Sequence, residues 1–180
     1  MTSKVFSTIT IRRAEPEDAA TLAYFSRKTF SESFAEQNGK GDIERILEEE
    51  FSVRALMSEV GRRHNTIFLA YRLHTLVGYA LMRELNNPAE ISSAVKCMEL
   101  ARLYVDDSFK ATGVGSALIK ECISQARIQN KEVLWLGVWC ENKRAIDFYT
   151  KWGFQKCGSR DSLIGDDSQI NWIMKKELQF

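Results

Sequence analysis

One stretch constrains this chain more than any other: an apolar run from Met98 to Val105, a polar turn, and then Gly113-Val-Gly115 opening an amphipathic segment. Met98 to Val105 suits extended backbone, and Asp106-Asp107-Ser108 ends it. From Gly113 to Asn130, the residues Val114, Ala117, Leu118, Cys122 and Ala126 recur at steps of three and four, which predicts a helix with one buried side. The two glycines let the backbone approach a ligand closely. The unpaired N–H groups of the first helical turn add the positive end of the helix dipole. Lys110, Ala111, Thr112, Gly113, Val114, Gly115 and Ser116 therefore form a candidate anion site for a phosphate or pyrophosphate, with Lys110 a mobile charge at its mouth.

Taken alone, Gly-x-Gly is also what a tight strand-to-helix turn requires on steric grounds. Two nucleotide motifs are excluded by the neighbouring residues. A P-loop needs Gly-Lys-Ser/Thr where Gly115-Ser116-Ala117 stands, and the dinucleotide fingerprint needs a third glycine where Leu118 stands. ATP and NAD are poor candidates.

Around this unit the periodicity alternates. Ile9 to Arg13 reads as a strand. The acidic and proline signals of Glu15-Pro16-Glu17-Asp18 start a helix running to about Phe34. Asn38-Gly39-Lys40-Gly41 breaks that helix, Asp42 is placed to cap a second one carrying Ile43, Ile46, Leu47 and Glu50, and Ser52 begins a short third. Thr66 to Arg72 and Leu76 to Leu85 read as a hairpin turning near Leu73-His74-Thr75, and Asn86-Asn87-Pro88 opens a polar loop. Val133 to Trp139 fits a buried strand. Asn142 to Trp152 is a helix stopped by Gly153, and the tail supplies two more extended pieces, the last at Ile170 to Met174. Strands before and between helices predict one α/β (α+β) domain over residues 1–180, without repeat or linker.

A chain of 180 residues with 44% hydrophobic content suffices for one sizeable core. Lys+Arg and Asp+Glu nearly balance, 25 against 24, so no global field argues for nucleic acid and a charged ligand must be held locally. Cys97, Cys122, Cys140 and Cys157 are far apart, and only His64 and His74 would complete a metal site, so no metal is expected. No apolar leader follows Met1 and no run of roughly 18 apolar residues occurs, which predicts a cytoplasmic protein without a membrane partner.

A second constellation is Asn142-Lys-Arg-Ala145-Ile-Asp-Phe148-Tyr149-Thr-Lys-Trp-Gly153-Phe154, preceded by Trp135-Leu-Gly-Val-Trp139. Helical geometry puts Asn142, Ala145 and Tyr149 on one stripe, small in the middle and hydrogen-bonding at its ends. An isolated Phe-Tyr pair would read as core aromatics. The two motifs together, in this order, resemble the GNAT superfamily across most of the chain. That family shows Gln/Arg-x-x-Gly-x-Gly/Ala after its central strand, matched by Lys110, Gly113 and Gly115, and then Asn-x-x-Ala-x-x-Phe-Tyr-x-x-x-Gly-Phe, matched at Asn142, Ala145, Phe148, Tyr149, Gly153 and Phe154. Lys110 replaces Gln or Arg, which keeps a cationic contact and loses a bidentate one. Phe30-Ser-Glu-Ser-Phe34-Ala-Glu-Gln-Asn38, Trp135-Leu-Gly-Val-Trp139 and Gly165-Asp-Asp-Ser-Gln169 are similar to PaiA-type spermidine/spermine acetyltransferases.

The resemblance implies a GNAT fold, with a mixed, mostly antiparallel, twisted sheet of about six to seven strands flanked by helices, and acetyl-CoA as co-substrate. It implies that Leu103, Tyr104 and Val105 offer backbone groups to the pantetheine arm, that Asn142 joins the cofactor contacts, and that a backbone N–H near Val105 stabilises the oxyanion. An acceptor ammonium of pKa about 10.4 must lose a proton, and a thiolate of pKa about 8.5 leaves better when protonated. Tyr149 is the expected acid. Glu99 is a base acting through water, or equally an ion-paired strand-end carboxylate, and a chain of waters would also serve. Asp166, Asp167, Glu32 and Glu36 are candidate counter-charges for a polyamine acceptor, with Trp139 a cation–π face. Each has an ordinary alternative as a turn residue, a solvated helix face or core. Other acceptors (a protein N-terminus, a lysine, an aminoglycoside), a non-catalytic acyl-CoA sensor and a homodimer stay open.

Overall fold

A computed structural model describes residues 8–34, 40–85, 87–164 and 167–179. Seven strands form one sheet in the order β1-β2-β3-β4-β5-β7-β6. They are β1 (Ile9–Arg13), β2 (Asn65–Arg72), β3 (Thr75–Arg83), β4 (Cys97–Val105), β5 (Val133–Trp139), β6 (Gln155–Ile164) and β7 (Asp167–Glu177). The helices are α1 (Ala19–Phe34), α2 (Lys40–Phe51), α3 (Val53–Val60), α4 (Val114–Ile128) and α5 (Lys143–Lys151). Every strand pairing is antiparallel except that of β4 with β5. The expected mixed, mostly antiparallel sheet is the one observed.

The sheet separates two cores. On one face, Val114, Leu118, Cys122 and Ala126 of α4 pack on Ala80, Met82, Leu100, Leu134 and Leu136, and α5 adds Ile146, Phe148 and Tyr149. On the other, Leu22, Phe25 and Phe30 of α1 join Phe51, Leu56, Leu69, Tyr79 and Leu81. Each α4 residue singled out by periodicity lies on the buried side or its margin.

Local signals account for most boundaries. Glu15 and Asp18 form a reciprocal capping box around a short 3-10 turn, and Asp18 also takes both arms of Arg12 at 2.6 and 2.7 Å before α1 begins. Ser52 caps α3 by accepting from the Ala55 N–H, as expected. Gly153 ends α5 at φ 83°. Two expectations need correction. Asp42 is not a cap, because α2 already begins at Lys40 and places Gly41 and Asp42 in its first turn. The last strand is not the short piece Ile170 to Met174: β7 runs from Asp167 to Glu177, since pairing with both β5 and β6 supports extended backbone through polar residues.

Two irregularities position the site. Leu81 pairs with Arg102 while Met82 pairs with Leu100, so Ala101 is an extra residue in β4. A bulge of this kind bends and twists the strand that carries it. The parallel pairing of β4 with β5 is confined to Cys97, Met98 and Glu99 against Val133, Leu134 and Trp135. Past Glu99 the two strands part, leaving one edge of β4 without a strand partner.

Candidate active site

The turn from Asp106 to Ser116 is built by caps and left-handed backbone. Asp106 leaves β4, donates its N–H to the Val77 carbonyl and accepts from the Ser108 N–H at 2.9 Å. It is buried and takes the Lys28 ammonium of α1 at 2.6 Å, a pairing that holds its carboxyl below the usual carboxylate range. Ala111 at φ 62° and Gly113 at φ 94° then reverse the chain twice. A Cβ on Gly113 would meet only Ile9, at 3.8 Å, so glycine is needed there for its conformation rather than for space. The first helical bond of α4 is donated by Ala117 to the Gly113 carbonyl, which leaves the N–H groups of Val114, Gly115 and Ser116 as the orphans of the helix start. Lys110 stands at this turn, ion-paired with Asp107.

Gly78 was not singled out from sequence, yet it fixes how closely α4 approaches the sheet. A Cβ there would lie 2.9 Å from both the Tyr104 carbonyl and Val114 Cγ1. Its signal was a glycine inside the strand pattern Leu76-Val-Gly-Tyr-Ala80.

Asn142 caps α5, its side-chain oxygen accepting from the Ala145 N–H at 3.1 Å. Tyr149 is partly buried, edge-on to Phe148 and Phe154 with centroids 5.3 and 5.7 Å away. Burial pushes its hydroxyl well above the ordinary tyrosine value, with a further contribution from Cys122. It therefore carries its proton at neutral pH. On β4, Leu103 and Val105 face the α4 core, whereas Tyr104 faces the other way and stacks on Tyr79 at 5.6 Å. Burial, chiefly, and then Tyr79 push the Tyr104 hydroxyl up, and Tyr149 is near enough to add to the same effect.

The opposite face carries charges that sequence reasoning largely missed. Glu99 is largely withdrawn from water. Desolvation raises its titration above the ordinary carboxylate range, against the opposing fields of Arg83, Arg160 and Arg102. Arg83 is tied to Glu59 at 2.7 Å and Arg102 to Glu50 at 2.8 Å. Arg102 Nη1 is buried without a hydrogen-bond partner among the described residues, and burial pushes the Tyr79 hydroxyl, which faces that of Ser26, up to about 12. Trp135 belongs to the core, while Trp139 is half-exposed. Glu32 lies on α1 with a long contact of 3.8 Å to Lys28. Glu36 and Asp166 lie outside the described residues, and of Asp167 only the backbone, at the start of β7, is described.

The arrangement is a split between two parallel strands, flanked on one side by free helix N–H groups and a tyrosine and on the other by a charged face. Comparison with known proteins shows the family and the fold. The acetyltransferase (GNAT) family profile matches residues 27–154, more than half of the chain, and the protein belongs to this family of N-acetyltransferases. Over 177 residues it is 26% identical to the spermidine N(1)-acetyltransferase of Thermoplasma acidophilum, covering 95% of this chain and 98% of that protein. It is also 26% identical over 170 residues to an uncharacterised N-acetyltransferase of Lactobacillus delbrueckii subsp. lactis, covering 94% of this chain and 98% of the relative. Among solved structures, the PaiA N-acetyltransferase of Thermoplasma acidophilum in complex with coenzyme A superposes with a TM-score of 0.76 at 25% identity, covering 94% of this chain and 99% of the other. No described helix is long and apolar enough to cross a membrane.

Proposed function

We propose that this chain, as one domain over residues 1–180, transfers the acetyl group of acetyl-CoA to the primary amine of a small acceptor in a ternary complex. The observation that carries this reading is the parting of β4 from β5 after Glu99 and Trp135, beside the free N–H groups of Val114, Gly115 and Ser116. An unpaired strand edge at Leu103, Tyr104 and Val105 suits the amides of a pantetheine arm. The turn from Lys110 to Ser116, with its two left-handed residues, suits a pyrophosphate. Asn142, at the start of α5, keeps its side-chain N–H groups for the same ligand. Acetyl-CoA supplies an acyl group already activated as a thioester.

The chain's own residues then manage charge and protons. A backbone N–H near Val105 faces the developing oxyanion. The amine nitrogen bonds to the acyl carbon as the carbon–sulfur bond breaks. Before attack, one ammonium proton passes to Glu99 through water; Tyr149 protonates the departing sulfur, and the second proton, shed by the nitrogen as the amide forms, passes through water to restore Tyr149, while Glu99 releases its proton to solvent. A carboxylate whose titration is raised by desolvation is a better base than an exposed one; the same burial keeps Tyr149 protonated while making it a weaker acid than an exposed tyrosine.

A polyamine is the acceptor that the Thermoplasma relative and the three PaiA-like segments support. Trp139, Glu32, Glu36, Asp166 and Asp167 are the residues proposed to meet it. The test is thiol release from acetyl-CoA against spermidine, spermine, lysine peptides and aminoglycosides. Acetylation of at least one amine, with one thiol released per acetyl group, is expected. Tight acetyl-CoA binding with no transfer to any amine would replace this reading by that of an acyl-CoA sensor.

A further inference from the structure

Beyond the split, β5, β7 and β6 form a continuous platform on the face opposite α4. Glu99 pairs in register with Trp135; Trp139 pairs with Asn171, and Asn171 with Arg160. The Arg160 guanidinium lies over the Trp135 ring, 5.8 Å from its centroid, and its Nη2 would be 3.6 Å from a Cβ placed on Gly137. Arg160 thus crosses from β6 to stand above β5 where β4 leaves it.

Arg83 and Arg102 are each committed to a glutamate. Arg160 is exposed and has no carboxylate partner among the described residues, and Glu99 likewise makes no ion pair among them. The two opposite charges sense each other, since Arg160 is among the groups that favour the ionised form of Glu99, yet they do not join. A carboxylate and a guanidinium held apart across an indole complement a molecule bearing both an ammonium and an anion. With Arg102 and Arg83 already neutralised by Glu50 and Glu59, a polycation would meet like charge at Arg160, and like-charge juxtaposition is costly.

We propose that Arg160 is a specificity-determining residue that binds a carboxylate on the acceptor, so that the site prefers an amine carrying an acid to a polyamine. This rests on the acetyl-transfer reading and departs only from the polyamine reading of the acceptor. Guanidinium recognises carboxylate through paired donors, which an amide side chain or a single ammonium cannot reproduce.

The test compares amines that differ by one carboxylate: lysine against cadaverine and ornithine against putrescine, with spermidine alongside, each with the full chain and acetyl-CoA. The expected result is a kcat/KM about tenfold or more higher for the carboxylated member of each pair. Arg160→Gln should bring the members to within about twofold of each other. Arg160→Lys should restore part of the preference, and the KM for acetyl-CoA should stay unchanged in both variants. Better use of cadaverine, putrescine or spermidine than of the amino acids would overturn the inference and favour the polyamine reading. So would a carboxylate preference that survives Arg160→Gln. Absence of transfer to every amine, with acetyl-CoA bound, would instead overturn the acetyl-transfer reading and this inference with it.

Discussion

The two sides of the split are made by different means. The turn from Asp106 to Ser116 is mostly backbone: left-handed residues at Ala111 and Gly113, orphan N–H groups at the start of α4, and the Lys110 ammonium paired with Asp107. The opposite face is mostly side chain, with Glu99, Arg83, Arg102 and Arg160 brought from β4, β3 and β6. A backbone site tolerates changes of most side chains but not of conformation. A side-chain site should change its ligand whenever one charge changes. On the proposed reading, the turn that would hold the cofactor is the fixed part of the protein and the charged face that would meet the acceptor is the adjustable part.

The largest expected effect breaks the chemistry while leaving both halves in place. Tyr149→Phe keeps the edge contacts with Phe148 and Phe154 and removes only the hydroxyl. Turnover should fall by roughly 10²- to 10⁴-fold with nearly unchanged affinity for acetyl-CoA. Single-turnover kinetics check this, and an unaltered chemical step would remove Tyr149 from the proton inventory.

Next comes the conformational demand of the turn. Gly113→Asp forces a side chain into a left-handed position and sets a negative charge beside the orphan N–H groups. Together these should weaken coenzyme A binding by about 10- to 100-fold. Calorimetry reads the loss directly; equal affinity in the variant would relocate the anion site. A change of the same kind on the acceptor face, such as Arg160→Gln, should leave that affinity alone.

The smallest effect is on stability, through Glu99. Its carboxyl titrates above the ordinary range because burial disfavours its charge. Between the ordinary value and the raised one, the folded state holds more protons than the unfolded state, so stability declines as pH rises through that window. Glu99→Gln removes the decline. The variant should melt roughly 1 to 3 °C higher than the parent near pH 7, a gap that closes once pH falls below the ordinary carboxylate range. Its kcat/KM should also lose the parent's fall on the acidic side. A variant less stable than the parent at pH 7 would mean that the three arginines outweigh the desolvation of Glu99.

The same division explains what the sequence made legible. Gly113-Val-Gly115 and Asn142 to Phe154 act through local backbone geometry, so their spacing carries their meaning, and the turn and the α5 cap stand where the motifs put them. The helical steps of α4 and the hairpin of β2 and β3 were readable for the same local reason. Gly78 and the lengths of β6 and β7 depend on what packs against them from far along the chain. Arg102 and Arg160 gain their setting only from strand register and from the bulge at Ala101, which no local pattern announces. The carboxylates chosen from the PaiA-like segments draw no meaning from local backbone geometry. Glu32 shares Lys28 with Asp106, while Glu36 and Asp166 lie outside the described residues.

Hydrogen exchange of the backbone amides with and without coenzyme A tests most directly whether the split and the α4 turn hold the cofactor. Added coenzyme A should slow exchange at Val114, Gly115 and Ser116 and along the unpaired stretch of β4 ending at Val105. Amides of α2 and α3 should change little. Protection centred on α2 and α3, with Val114 to Ser116 exchanging as fast as in the free protein, would contradict it.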